Sequence, residues 1–375
     1  MNFLFTCGGT AGHINPAVAV AGELREAMPD CGILFVGADG MMEERLVPQE
    51  GFDIKTVTIT NLSRKKNLAG LKHNIATLKN IFSATRQARK IIEDFKPDAA
   101  IGTGGYVCYP VLKAASAMGI PTAMHESNAV PGLTTKLLSS KVDRIMVGFP
   151  ESKNAYKNPE KVTVTGTPVR GGFSRFSKEE ARRELGIPAG KKLVLSVWGS
   201  LGAAKMNEIF TGLIPLAAAK GDFCLVHSAG TRGYAAMAQG LGEICPGYAE
   251  RGMDVREYIF DMPLVMAAAD LIICRAGAST LAELTCMGKP AVLVPSPNVT
   301  NNHQEKNARV LENAGGARVL LEGEFDGESL LELTESLLAD DKALAEMSAA
   351  MKALGAPRAA EAIAEIVLSI SANNR

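Results

Sequence analysis

At 375 residues the chain exceeds what one ordinary hydrophobic core organises, and a prior of roughly 150 residues per domain predicts two domains. Forty Lys and Arg balance forty Asp and Glu, which excludes a global pull toward nucleic acid or another polyanion. Seven scattered cysteines without a C-x-x-C pair exclude a disulfide scaffold or a thiolate metal site and read as buried thiols.

The chain opens on a strand-like run at residues 2–7 that breaks into Gly8-Gly9-Thr10-Ala11-Gly12-His13-Ile14-Asn15-Pro16. A strand, a glycine loop and a helix expected to open near Pro16 make an anion site, because unpaired amides and the positive helix end both point at the loop. His13 adds an ionisable imidazole, which suggests chemistry as well as binding. Neither a charged leader precedes this run nor does any segment reach about 18 apolar residues, so a cytosolic chain without a membrane span is expected.

Further strands are expected at 32–36, 98–101, 122–125, 144–147 and 162–165, with helical patterns between them, the signature of a parallel sheet with crossover helices. Gly102-Thr103-Gly104-Gly105-Tyr106 follows one of these runs and His125-Glu126-Ser127-Asn128 another, so three strand ends aim polar groups at one rim. The first loop lacks the G-x-G-x-x-G spacing of a dinucleotide site, although Asp39 mimics its ribose acid. Residues 61–96 carry nine Lys and Arg, Lys65, Lys66 and Lys72 among them, against only Glu93 and Asp94. Leu68, Leu71, Ile75, Leu78 and Phe82 recur there at helical spacing, which suits either an anionic lipid surface or a stripe packed on the first sheet.

The Pro and Gly content of residues 166–172 reads as a linker, placing a first domain at 1–167 and a second at 168–356. The second series of strands is expected at 192–198, 223–227, 271–274 and 291–295, and its first member again runs into a glycine turn, Gly199-Ser200-Leu201-Gly202-Ala203. Arg275-Ala276-Gly277-Ala278-Ser279-Thr280-Leu281-Ala282-Glu283 carries a strand through small residues into a helix. Small residues let a diphosphate approach the helix amides, Arg275 adds charge, and Glu283, which phosphate would repel, suits ribose hydroxyls. Asn301-Asn302-His303-Gln304-Glu305-Lys306-Asn307 offers uncharged two-sided hydrogen bonders suited to a sugar, or simple helix caps. The tail, 357–375, is an amphipathic helix that either closes the second domain or crosses back onto the first.

Together these motifs, in this order, resemble the peptidoglycan glycosyltransferases that add N-acetylglucosamine (GlcNAc) to undecaprenyl-diphospho-muramoyl-pentapeptide, turning lipid I into lipid II. The resemblance implies an α/β fold of the GT-B type, two Rossmann-like doubly wound parallel-sheet domains facing across a cleft, with the acceptor on the first and UDP-GlcNAc mainly on the second. It implies donor contacts at Thr10, Ala11, Gly12, Asn128, Arg170, Ser200, Ile259, Ala278, Ser279, Thr280, Leu281, Ala282, Glu283 and Gln304, to which the loop reading adds Arg275. Gly104, Gly105, Tyr106 and His125 would line the acceptor side. Trp198, Ser127 and Thr167 depart from the family's frequent Gly, Gln and Asn.

The implied reaction inverts the anomeric centre in one displacement, so it needs a base for the acceptor 4-hydroxyl and stabilisation of the diphosphate leaving group. His13 is the first candidate for the base and Glu126 the second; no metal and no obligatory cofactor are expected. The implied partners are UDP-GlcNAc, a polyprenyl-diphosphate-linked muramoyl peptide and the inner, cytoplasmic leaflet of an anionic membrane, with the protein peripheral to it and no nucleic acid bound. A UDP-GlcNAc 2-epimerase and a non-catalytic nucleotide-sugar sensor are the competing readings.

Overall fold

A computed structural model of the chain describes residues 1–60, 68–173 and 175–372. It divides into two compact units, the first comprising Met1–Arg170 and Ala356–Arg375 and the second Gly171–Gly355. The division falls after Arg170 rather than at 167, and the C-terminal tail belongs to the first unit.

The first unit is built on seven strands: β1 (Asn2–Thr6), β2 (Gly32–Ala38), β3 (Asp53–Val57), β4 (Ala99–Gly102), β5 (Thr122–Glu126), β6 (Arg144–Val147) and β7 (Val162–Val164). Their order is β3-β2-β1-β4-β5-β6-β7, all pairs parallel. Order reverses between β1 and β4, and the carboxyl ends of strands at such a switch open the crevice where ligands of doubly wound sheets bind. The central strands are apolar on both faces, as burial under two helix layers requires. On one face Phe5 stacks on Phe35 with centroids 5.1 Å apart, beneath helix Ala11–Ala27. The C-terminal helix Ala359–Ala372 packs there too, inserting Ala360, Ile363, Ala364, Val367 and Ile370 at three- and four-residue spacing. Burying each large apolar side chain contributes about 1.5–3 kcal/mol, and that stripe is what returns the tail to the first unit.

The second unit repeats the plan with β8 (Lys192–Val197), β9 (Phe223–Ser228), β10 (Met253–Arg256), β11 (Leu271–Cys274), β12 (Ala291–Leu293) and β13 (Ala317–Val319), in the order β10-β9-β8-β11-β12-β13, again parallel. Its switch point lies between β8 and β11. Helices Ala204–Lys220 and Gly327–Ala339 supply much of its main core, with Phe210 and Leu330 fully buried.

Three strands escaped the sequence reading: β3, β10 and β13. Each lies at a sheet edge, is short and alternates in burial, so it has no continuous apolar run to betray it. Helix Ala11–Ala27 starts five residues before Pro16, which places His13 in its first turn rather than in a free loop. Asp39 is engaged as acceptor of the Thr58 hydroxyl at 2.6 Å. The basic segment falls partly on residues 61–67, outside those described, as are the side chains from 68 to 79; the rest of the segment forms helix Leu68–Phe95.

Candidate active-site residues in each unit

In the first unit the loops after β1 and β4 meet around His13. Thr103 donates to the His13 carbonyl at 2.6 Å, and the Gly8 amide donates to the Gly104 carbonyl at 3.2 Å. The His13 ring lies against Gly104, where an added Cβ would stand 2.4 Å from its Cδ2 and 2.9 Å from its Nε2. Gly104 also has φ +122, so glycine is required there by both space and backbone conformation. His13 Nδ1 is 2.9 Å from the Gly8 carbonyl oxygen. A carbonyl only accepts, so Nδ1 carries the proton and Nε2 carries the lone pair. Thr10 Oγ1, 3.3 Å from the same Nδ1, is a second acceptor for that proton. The arrangement therefore presents a basic nitrogen at the carboxyl end of the sheet, with its tautomer set by the backbone.

Glu126 and His125 take other roles than the sequence suggested. The Glu126 carboxyl, 6% exposed, accepts from the Asn128 amide and Asn128 Nδ2, both at 3.0 Å, from the Gly132 amide at 2.9 Å and from Thr135 Oγ1 at 2.7 Å. Both oxygens are thus engaged in shaping the loop after β5. Asn128 likewise has its side-chain NH2 turned to Glu126. His125 is fully buried, with Nε2 2.9 Å from the Gly166 carbonyl and Nδ1 3.3 Å from Ser127 Oγ, so it braces the end of the unit rather than meeting acceptor. The sequence signal, four polar residues at a strand end, did not distinguish a strand residue from a loop residue. Tyr106 is half-buried beside Gly9, and burial, followed by the nearby Glu43 carboxyl, raises its phenol. Arg170 pairs with Glu50 at 3.0 Å on the surface of the first unit. Thr10 and Ala11 are exposed at the helix start and Gly12 is half-buried.

Burial pushes the His125 imidazole down from 6.5 to about 4. Between those two values the unfolded chain binds a proton that the native chain refuses, so stability is full above pH 6.5 and falls as pH drops toward 4, by on the order of 3 kcal/mol. Urea titrations at pH 7.5 and 4.5 should show the midpoint falling, and His125→Gln should flatten the dependence; a slope unaltered by that change would sink the assignment. His227 of the second unit, pushed to about 3 by burial, adds in the same direction.

In the second unit the loops after β8 and β11 carry the expected donor residues. The exposed Ser200 lies on a turn with Gly199 at φ +85 and Gly202 at φ +76. An added Cβ on Gly202 would come within 2.0 Å of the Ala229 carbonyl, and the Thr231 amide donates to the Ser200 carbonyl at 3.2 Å, so the loop after β9 braces the loop after β8. Helix Ala278–Met287 begins at Gly277, which offers no capping side chain, and its first turn holds no acidic residue. Its opening amides therefore form an anion-ready terminus, and the small Ala278, Ser279 and Thr280 keep it uncrowded. Leu281 is buried, while Ala282 and Glu283 are half-buried in the next positions of the helix.

Arg275 departs from its expected part as a free diphosphate charge. It pairs with Glu322 at 2.5 Å, donates to the Val294 and Pro295 carbonyls at 3.1 and 3.3 Å, and lies 5.4 Å from the Trp198 ring. Its work is to tie the loops after β11 and β12. The Gln304 oxygen accepts from the Ser296 amide at 2.8 Å, so that oxygen is engaged by the loop after β12. Ile259 is buried between the exposed Tyr258 and Phe260.

Two features were not foreseen. Glu43, which carried no motif in the sequence, is a fully buried carboxyl beneath the first loop. Trp198 Nε1 donates to Ser196 Oγ at 2.8 Å, Ser196 Oγ meets His227 Nδ1 at 3.0 Å, and His227 Nε2 meets Asn207 Oδ1 at 3.2 Å. This buried chain of neutral partners ties β8 and β9 together under the Ser200 loop, and the large residue at 198 is its first member.

Models of the N- and C-terminal domains of glycosyltransferase family 28 match residues 3–147 and 193–363. The chain is 43% identical over 373 residues to a UDP-N-acetylglucosamine–N-acetylmuramyl-(pentapeptide) pyrophosphoryl-undecaprenol N-acetylglucosamine transferase of Acetivibrio thermocellus, covering 100% of this chain and 99% of that protein. The chain belongs to glycosyltransferase family 28. A protein of the same name from Listeria monocytogenes is 38% identical over 370 residues, covering 99% of each. Among solved structures, MurG of Acinetobacter baumannii has a TM-score of 0.76 and 28% identity over 98% of this chain and 99% of that one. A UDP-GlcNAc 2-epimerase of Neisseria meningitidis bound to UDP-GlcNAc, at 15% identity, TM-score 0.64 and coverage of 98% and 100%, shares the fold. Both units of the family 28 chain thus match the GT-B plan of two Rossmann-like parallel sheets.

Proposed function

We infer that the chain is an inverting hexosyltransferase that moves GlcNAc from UDP-GlcNAc to the 4-hydroxyl of the muramoyl residue of undecaprenyl-diphospho-muramoyl-pentapeptide, the step that makes lipid II for peptidoglycan, cell shape and division. The observation that carries this reading is the His13 ring, held by the Gly8 carbonyl with Nε2 as the basic nitrogen, in a chain whose full-length relatives bear that transferase name. In this mechanism Nε2 removes the acceptor hydroxyl proton as the oxygen attacks the anomeric carbon from the face opposite the diphosphate. The bond to UDP breaks in the same step, so no carboxylate nucleophile is needed. The amides opening helix Ala278–Met287, with Ser200, take the growing charge on the leaving diphosphate, with no obligatory metal. Glu283 holds the ribose hydroxyls, the Ile259 backbone the uracil, and Gln304 the GlcNAc hydroxyls. Gly104, Gly105 and Tyr106 line the acceptor side.

No helix among the described residues is long and apolar enough to cross a membrane; in this reading the lipid-linked acceptor is met at the membrane surface. Support for a peripheral site on the anionic cytoplasmic face comes from Phe82, which lies within the basic segment in sequence and is 74% exposed, with the Lys113 ammonium 5.9 Å from its ring.

One assay tests the whole reading. UDP release from UDP-GlcNAc should appear only with a lipid I analogue and persist in EDTA; epimer formed without acceptor would establish the isomerase instead, and binding without turnover the sensor. With acceptor embedded in anionic vesicles, Phe82→Asp should lower the rate severalfold while leaving a short-chain soluble acceptor unaffected. Equal rates on both acceptors would remove Phe82 from the membrane face.

A further inference from the structure

The anchor of the His13 ring has its own support. The Gly8 carbonyl that accepts from His13 Nδ1 and the Gly9 N–H belong to one peptide unit, which is planar and rigid. Glu43 Oε2 accepts from that Gly9 N–H at 3.0 Å, while its Oε1 accepts from the Ala38 amide at the end of β2, also at 3.0 Å. Glu43 is 0% exposed. Space for its carboxyl is created by glycines: an added Cβ at Gly8 would lie 2.5 Å from Glu43 Oε1, and one at Gly37 would lie 2.4 Å from Glu43 Cγ. A carboxyl enclosed this way costs solvation that two backbone hydrogen bonds only partly return, so its retention calls for a purpose.

We propose that Glu43 is a positioning residue for the base: through the single peptide unit joining Gly8 to Gly9, it fixes the orientation of the carbonyl that holds His13 in its Nδ1–H tautomer. The chain of contacts runs from carboxyl to N–H, across the amide, and from C=O to the imidazole N–H. Each bond polarises the next, so the carboxyl strengthens the hold on Nδ1–H without touching the ring. A rotated peptide would point the Gly8 oxygen away, and the imidazole would then be free to protonate Nε2, the nitrogen that must accept the substrate proton. This proposal rests on the reading of His13 as base, and its test separates the two.

The test is 15N NMR of the histidine ring nitrogens in the full chain, with His13 assigned by the signal lost in His13→Gln. The unaltered protein should show His13 with Nδ1 protonated and Nε2 bare. In Glu43→Gln the amide NH2 must oppose one of the two backbone N–H groups, and the His13 signals should move toward a mixture of tautomers. In the same variant kcat should fall roughly 10- to 100-fold, the scale of a misplaced catalytic group, with KM for UDP-GlcNAc changed less than about twofold. Glu43→Asp, which keeps the carboxyl but shortens the reach, should lie between the two and provides the measurement if the glutamine variant does not fold. Unchanged His13 ring signals in a folded Glu43 variant overturn the proposal, whatever its activity. Shifted signals with full turnover uphold the anchor and overturn instead the role of His13 as base.

Discussion

Replacing His13 by Ala is expected to lower kcat at least about a hundredfold, some 2.7 kcal/mol of transition-state stabilisation, with the KM for UDP-GlcNAc little changed. The reasoning is geometric. Nε2 is the ring's only acceptor once Nδ1–H is bound to the Gly8 carbonyl, and Thr103 and Gly104 hold the ring's backbone and face. Glu126 offers no substitute, because moving it to a substrate would break the hydrogen bonds that shape the loop after β5. Donor binding should survive, since the assigned diphosphate, ribose and uracil contacts lie on the second unit. Steady-state kinetics with a soluble acceptor analogue checks this, and near-normal turnover would remove His13 from the chemistry.

Gly105→Ala is expected to abolish turnover and to lower stability by about 2–5 kcal/mol, combining strain at positive φ with overpacking. An added Cβ would stand 2.4 Å from the Gly8 oxygen and 3.0 Å from Gly8 C and N, at φ +92. These are backbone atoms, so nothing yields by rotating a side chain. The oxygen displaced is the one that anchors His13, which joins the stability loss to the loss of activity. Gly104→Ala meets the His13 ring instead, a side chain that can swing aside, so it should cost less stability and still disable the base. Gly119→Ala, at φ +75 with nothing within 4 Å of the new carbon, is the control for strain alone, expected near 1 kcal/mol with normal turnover. Urea unfolding and turnover of the three variants separate the contributions; a Gly105→Ala protein matching the control would refute the contact.

Much of the fold was legible because its signal is local. Buried parallel strands need continuous apolar runs, and β1, β4 and β11 supply them, each ending in a glycine-rich or polar loop. The edges β3, β10 and β13 were not legible, since each interleaves a charged residue with its apolar ones and has no such run. Candidate site loops were found for the same local reason that strands were: glycines and polar groups stand where apolar runs stop. The partners of individual side chains were not legible. Arg275 read as free charge is tied to Glu322, 47 positions away in sequence, and His125 read as acceptor-facing is enclosed against Gly166.

The sequence alone determined the two-unit plan, the strand-to-loop-to-helix turns and the placing of an imidazole at the first of them, because periodicity, glycine and helix-start chemistry act over a few residues. Tertiary structure decided which polar groups remain available for chemistry. Whether a carboxyl or guanidinium meets substrate or spends itself on the scaffold depends on donors and acceptors brought from distant strands, and a buried polar group without them is too costly to keep. That competition turned Glu126 and Arg275 into braces, hid Glu43 beneath the first loop, and left Nε2 of His13 as the basic atom at the carboxyl edge of the first sheet.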